Sequence, residues 1–345
     1  MLLNTIAQEE NFLCSDSSSR AISVKSVKTL IKKGCGMMKK ANLSSKSLKK
    51  WPYIFLLPYF IFYFMFFIFP TIYSFLISLT DWDSVAGAAN RNFVGFVNYV
   101  KLFTRDKLFY KSLSNTFMFM IIYIPILILG GLLLAVLLYK LKKTSRLFQT
   151  INVLPYITTP VAIGIIFSFL FDWSTGIINN ILIQTGILEE GINWLGSGTT
   201  ARLVVILLIV WKNLGYYLLI YLAGLSTIPE DISEAAMVDG ANKFQVFWRI
   251  TVPYLKPITI FLVLTSIISG FQLFDEPYLL FSNINSSVGG PDRSCLTSMI
   301  YFFDQTFKSS TRLGYGAAVS YGIFVIVLIV SMIVSKIANK KGADA

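Results

Sequence analysis

Six long apolar runs decide what this chain can fold into. Tyr53–Leu79, Ser112–Tyr139, Leu147–Phe171 and Leu313–Ser335 contain no charged residue at all. Pro257–Phe274 is charge-free until Asp275, and Leu203–Leu225 carries only Lys212. A helix needs roughly 20 residues to cross the hydrocarbon core of a bilayer. Inside that core every backbone N–H and C=O must be paired within the protein, so such runs become helices. The rival solution, a closed β-barrel, requires short alternating strands, and these unbroken runs do not alternate. Only 14% of the residues are charged, against about 25% in soluble domains. The chain therefore reads as an all-α, polytopic membrane protein. Its transmembrane domain covers 51–340, with spans at about 53–79, 113–139, 148–171, 203–225, 257–280 and 313–336.

The placement of basic residues orients the spans. Ten Lys or Arg lie between Arg20 and Lys50, and four more between Lys140 and Arg146. Lys243, Arg249 and Lys256 fall in the fourth connection, and Lys336, Lys340 and Lys341 close the last span. In a six-span chain these regions share one face. The other face receives five basic residues in Thr80–Lys111, none in Asp172–Thr200 and three in Ser282–Arg312. The positive-inside rule then puts both termini in the cytoplasm. The basic tail, 1–50, reads as a disordered segment that touches anionic lipid rather than nucleic acid. It lacks the apolar core of a secretory signal. Met37 and Met38 are alternative starts.

Several chemistries lack their residues. The chain has no His, which removes a Ser-His-Asp triad and a helical two-His zinc site. It has no Gly-Lys dipeptide, so no Walker A phosphate loop. Cys14, Cys35 and Cys295 form neither a disulfide framework nor a metal-ligand spacing. Asp275 and Glu276 are neighbours and would diverge on a helix. The chain is expected to hold no catalytic site, no metal and no cofactor. If ATP and Mg drive it, another chain must bind them.

The connection at 226–256 is longer than the roughly 2–8 residues usual between packed helices. Thr227-Ile228-Pro229-Glu230 has the spacing of a capping box, and predicts a short helix over about 228–238. Glu230, Asp231 and Glu234 place negative charge near the positive end of its dipole. Ala235 and Ala236 are small enough for another surface to approach, and Gly240 supplies the freedom to stop and turn. Lys243–Ile250 reads as a second, amphipathic helix, with Phe244, Phe247 and Trp248 suited to the membrane interface. Pro253 and Pro257 are expected to break the chain before it re-enters the bilayer. Taken on physics alone, this is a solvated helix-turn-helix linker or a docking surface.

Glu234-Ala235-Ala236, then Gly240, Ile250 and Pro253, resembles the EAA motif of binding-protein-dependent ABC importer permeases. Phe55–Asp83, Phe93–Tyr99, Leu154–Phe171, Tyr221–Ala236, Gly270–Leu279, Gly289-Gly290-Pro291 and Leu313–Ser320 are similar to the carbohydrate-uptake branch, which includes maltose, lactose and glycerol-3-phosphate permeases. The resemblance covers about 51–340. It implies the ABC importer permease fold in a cell membrane of a prokaryote. It also implies three protein partners: a homologous second permease, a dimer of ATP-binding cassette ATPases, and an extracytoplasmic sugar-binding protein, with membrane lipid around the spans. Carried over by position, Glu234, Ala235, Ala236, Asp239 and Gly240 would dock on the ATPase, and the fourth to sixth spans would line the route.

Polar groups inside spans are costly and so mark candidate pathways. Lys212 sits beside Trp211, Asn213 and Tyr217, and Gln272 and Asp275 lie at the end of the fifth span. A sugar offers many hydroxyls and a flat apolar face, which these side chains suit. Other readings stay open. Lys212 snorkels or pairs with another subunit, the tyrosines form an interfacial belt, and Asp275 and Glu276 mark where Pro277 ends the fifth span. The rival function is a self-contained secondary transporter or channel. That class builds its site from broken helices or repeats, and no repeat between the halves is evident here.

Overall fold

The computed structural model describes residues 51–83, 91–141, 145–282, 288–308 and 311–343. The basic tail, with Met37, Met38, Cys14 and Cys35, lies outside them. The chain divides into two units at Thr71. The described part of the first unit is helical: α1 (Trp51–Tyr63), a π-turn over Phe64–Ile68 and the opening of α2 (Phe69–Ser78). Its side chains from Tyr53 to Phe67 are all exposed, as expected of apolar groups whose natural solvent is lipid.

The second unit holds the core. After α3 (Val97–Thr104) comes the longest helix, α4 (Lys107–Tyr139). It starts about six residues earlier than its apolar run because Asp106 caps it. One Asp106 carboxylate oxygen accepts from the Leu108 and Phe109 amides at 3.0 Å each. The other accepts from the phenols of Tyr301 and Tyr315. Burial opposes ionisation here, but those phenol and amide hydrogen bonds outweigh it and hold the carboxyl below its usual range.

The third apolar run is not one straight span. α5 (Ser145–Ile157) and α6 (Pro160–Leu170) meet at 95°. The cause is local: Thr159 precedes Pro160 and is extended, with φ −62° and ψ 135°, because a proline ring crowds the α conformation of the residue before it. Counted by length and composition among the described residues, five helices are able to cross a membrane, or six if this bent pair is one span.

After α7 (Ile177–Gln184), α8 (Gly198–Leu225) runs through the middle of the unit. It packs on α4, where Leu127 of α4 and Leu208 and Leu218 of α8 are buried. It also packs on α5 through Gly215, where a Cβ would collide with the Asn152 carbonyl. The long connection forms α9 (Glu230–Val238), α10 (Lys243–Val246), a π-turn over Phe247–Thr251 and α11 (Val252–Tyr254). Pro253 and Pro257 do not break it. Each sits in a first helical turn, where a missing N–H costs nothing, and only Leu255 separates α11 from α12 (Lys256–Phe271).

The fifth span breaks earlier than expected. α12 stops at Phe271 and α13 (Asp275–Phe281) begins after a short interruption at Gln272–Phe274. Pro277 therefore lies inside α13, buried, and does not end the span. The Thr297 hydroxyl donates to the freed Leu273 carbonyl at 2.6 Å. α14 (Ser298–Phe303) and α15 (Leu313–Ala343) complete the chain.

Candidate functional site

Two regions gather the sequence-selected residues. The first is the long connection. α9 starts at Glu230, two residues later than expected, and Thr227 does not cap it. The Thr227 hydroxyl donates backwards to the Gly224 carbonyl at 2.8 Å, finishing α8 instead. Glu230 and Asp231 do occupy the first turn. The capping box forms instead at the start of α10, where the Asn242 side chain accepts from the Gln245 amide and the Gln245 side chain accepts from the Asn242 amide, both at 2.8 Å.

α9 ends in a Schellman turn. The Ala241 amide donates to the Ala236 carbonyl at 2.9 Å, and the Gly240 amide to the Met237 carbonyl at 3.1 Å. Gly240 has φ +89°, which a side chain resists, yet nothing lies within 4 Å of where its Cβ would be. Its requirement is conformational, not steric. Glu234, Ala235, Asp239 and Gly240 are exposed and Ala236 is half-buried. α9 buries no residue at all, and Val238 is 87% exposed. A nine-residue helix does not persist alone in water, so the turn and the capping box beside it hold its shape. Glu234 and Met237 also border a cleft of about 330 Å³ against Val136, Leu225, Val246 and Phe247.

The second region is a polar cavity of about 230 Å³ between α4, α5, α8, α12 and α13. Four of the six proposed pathway residues line it: Asn213, Tyr217, Gln272 and Asp275. The break after Phe271 is what brings Gln272 and Asp275 to its wall. Tyr156 and Tyr216 form a stacked pair on the rim, with centroids 5.2 Å apart and planes at 20°. Tyr217 is buried and its hydroxyl is bound to Ser266, so it braces α8 against α12 more than it offers a free donor. The Asn213 amide nitrogen donates to Ile209 at 2.8 Å.

Trp211 and Lys212 are not on the cavity wall. Trp211 is 46% exposed and packs against Phe167, 5.4 Å away. Lys212 neither snorkels nor waits for another subunit. Its ammonium donates to Glu276 Oε1 at 2.7 Å, with both side chains only 12% exposed. This is the one salt bridge among the described residues. Sequence reading took Glu276 only as a mark of the end of the fifth span, and did not select Tyr156, Tyr216, Ser266 or Ser269 as pathway residues. The available signal was the buried ammonium, which requires a counter-charge when few carboxylates lie near membrane depth. Cys295 is buried as a free thiol, and no cluster of three potential metal ligands occurs among the described residues.

The described residues thus present a polar cavity among the apolar helices and, separately, an exposed helix just past the end of α8. Residues 102–339 match the model of the family described as binding-protein-dependent transport system inner membrane component. YurN, a probable ABC transporter permease protein of Bacillus subtilis, is 32% identical over 287 residues, 83% of this chain and 94% of that protein. The lactose transport system permease protein LacF of Rhizobium radiobacter is 35% identical over 298 residues, 85% and 97% of the two chains. The arabinooligosaccharides transport system permease protein AraP of Bacillus subtilis is 34% identical over 295 residues, 85% and 90%. Among solved structures, a chain of a bacterial alginate ABC transporter in complex with an alginate pentasaccharide-bound periplasmic protein superimposes with a TM-score of 0.74. That match is 22% identical and covers 86% of this chain and 97% of that one, which establishes the shared fold. With a family match across most of its length and curated relatives covered almost end to end, the chain belongs to the inner membrane components of binding-protein-dependent ABC transport systems.

Proposed function

We propose that this chain is the permease subunit of a carbohydrate importer, and that its two regions have separate tasks. Glu234, Ala235, Ala236, Asp239 and Gly240 form the surface that docks on an ATP-binding cassette ATPase. Asn213, Gln272 and Asp275, with the Tyr156–Tyr216 pair, border the sugar's route. A homologous permease and an extracytoplasmic sugar-binding protein complete the assembly, with the termini and the α9 connection in the cytoplasm. ATP and Mg belong to the ATPase. The observation that carries the sugar reading is the cavity wall, where stacked phenols lie beside amide, hydroxyl and carboxylate groups. A pyranose presents an apolar face to stack and a rim of hydroxyls to bond. LacF and AraP, a lactose and an arabinooligosaccharide permease by name, point the same way.

Co-purification in mild detergent tests the docking half. The ATPase should travel with the intact chain and be lost when 234–240 is scrambled, while membrane insertion stays unchanged. An ATPase retained by the scrambled chain, or ion-driven uptake by the purified chain alone, would overturn the assignment.

A further inference from the structure

The charges around the cavity do not balance. Asp275 and Glu276 both line it, and no Lys or Arg does. Glu276 is neutralised from behind by Lys212 at 2.7 Å. Asp275 is exposed to the cavity and has no hydrogen bond or ion pair among the described residues. Two carboxylates against one ammonium leave one negative charge. An ionised carboxylate without a partner is tolerated at membrane depth only where water reaches it, so the charge marks an aqueous space and sets its sign. Inside low-dielectric walls a fixed charge acts over a longer range than in bulk water.

From this imbalance we infer that the cavity sorts solutes by charge, passing neutral saccharides and turning away uronates and sugar phosphates. This rests on the cavity being the sugar route. The carboxylate serves both directions of the choice. Its two oxygens accept hydrogen bonds from a pair of adjacent sugar hydroxyls. The same oxygens repel a carboxylate or phosphate at that place, where a like charge costs most. Ser269 and Thr265 add hydroxyls to the wall, and Tyr156 and Tyr216 add a stacking face. None of these groups compensates an anion. Asp275 is therefore a specificity-determining residue, and Lys212 a positioning residue that keeps Glu276 from doubling the field.

A thiol placed in the cavity reads its charge without knowledge of the sugar. The full chain would carry Ser269→Cys, with Cys14 and Cys35 replaced by Ser, in membrane vesicles with its partner subunits. Its modification would be timed with trimethylammonium-ethyl and sulfonatoethyl methanethiosulfonates, each rate normalised to that of 2-mercaptoethanol. The normalised ratio should favour the cationic reagent by about tenfold. Asp275→Asn should bring it close to one, and Asp275→Glu should keep it high. A ratio near one in the Ser269→Cys chain, or one that Asp275→Asn leaves unchanged, refutes the charge filter while leaving an aqueous sugar route intact. A thiol that neither reagent reaches refutes the route itself, and the filter with it.

Discussion

Removing Lys212 should damage this protein more than removing Lys212 and Glu276 together. At 2.7 Å, and with an effective dielectric of about 20, the pair attracts by roughly 6 kcal/mol. Taking two ions out of water costs several kcal/mol each, so the intact pair contributes little net stability. The single variant Lys212→Met keeps the desolvation cost of Glu276 and loses the attraction. Both side chains are only 12% exposed, so water rescues the orphaned carboxylate poorly. The expected loss is about 3–5 kcal/mol. Lys212→Met/Glu276→Leu removes both charges and should return to within about 1 kcal/mol of the starting protein. Intrinsic tryptophan fluorescence during thermal unfolding in mild detergent, at pH 7, would follow the transition. The double-mutant cycle then isolates the coupling. Equal midpoints for the single and double variants would refute the reasoning, because the pair would then be solvated and not buried.

Two further outcomes follow from the connections. Gly240→Pro cannot reach φ +89°, because proline holds φ near −65°. It should undo the Schellman turn and abolish ATPase co-purification while leaving insertion unchanged, whereas Gly240→Ala should cost only about 1–2 kcal/mol locally. In the turn after α6, Asp172 accepts from the amides of Thr175 and Ser174 and from both hydroxyls. These bonds, the Thr175 amide foremost, draw its pKa down from 3.8 to about 2. A depressed carboxyl stabilises the turn above its unfolded pKa. The protection factors of the Ser174 and Thr175 amides, their rates divided into the intrinsic rate at the same pH, should therefore be high above about pH 4 and fall as the pH drops towards 2. Asp172→Asn should be weakly protected throughout and lose that pH dependence.

What sequence reading reached was whatever depends on neighbours in the chain. The apolar runs located every long helix, because lipid leaves the backbone no alternative. The EAA segment located α9 and its turn at Gly240. The misreadings came from competition between nearby signals. Thr227 and Asn242 both begin a capping-box pattern, but Pro229 keeps Ile228 out of the helix, so Thr227 closes α8 and Asn242 does the capping. Thr159-Pro160 was legible as a bend but was hidden inside an unbroken apolar run. Lys212 and Glu276 are 64 residues apart. Only the packing of α8 against α13 tells that this carboxylate, and not its neighbour Asp275, meets the ammonium.

The hydroxyl contacts between α8 and α12 have a mechanical consequence. These two helices flank the α9 connection on either side. Tyr217 to Ser266 ties them near the cavity, and Tyr221 to Thr259 ties them again at 3.1 Å, one turn closer to the connection. Two such ties, each of about 1 kcal/mol, bias the helices towards moving together as a lever arm. From Leu225 to Asn213 the arm is about 18 Å long at 1.5 Å per residue. A tilt of about 10° applied at the α9 end would then sweep the cavity wall through about 3 Å, roughly the width of one water molecule.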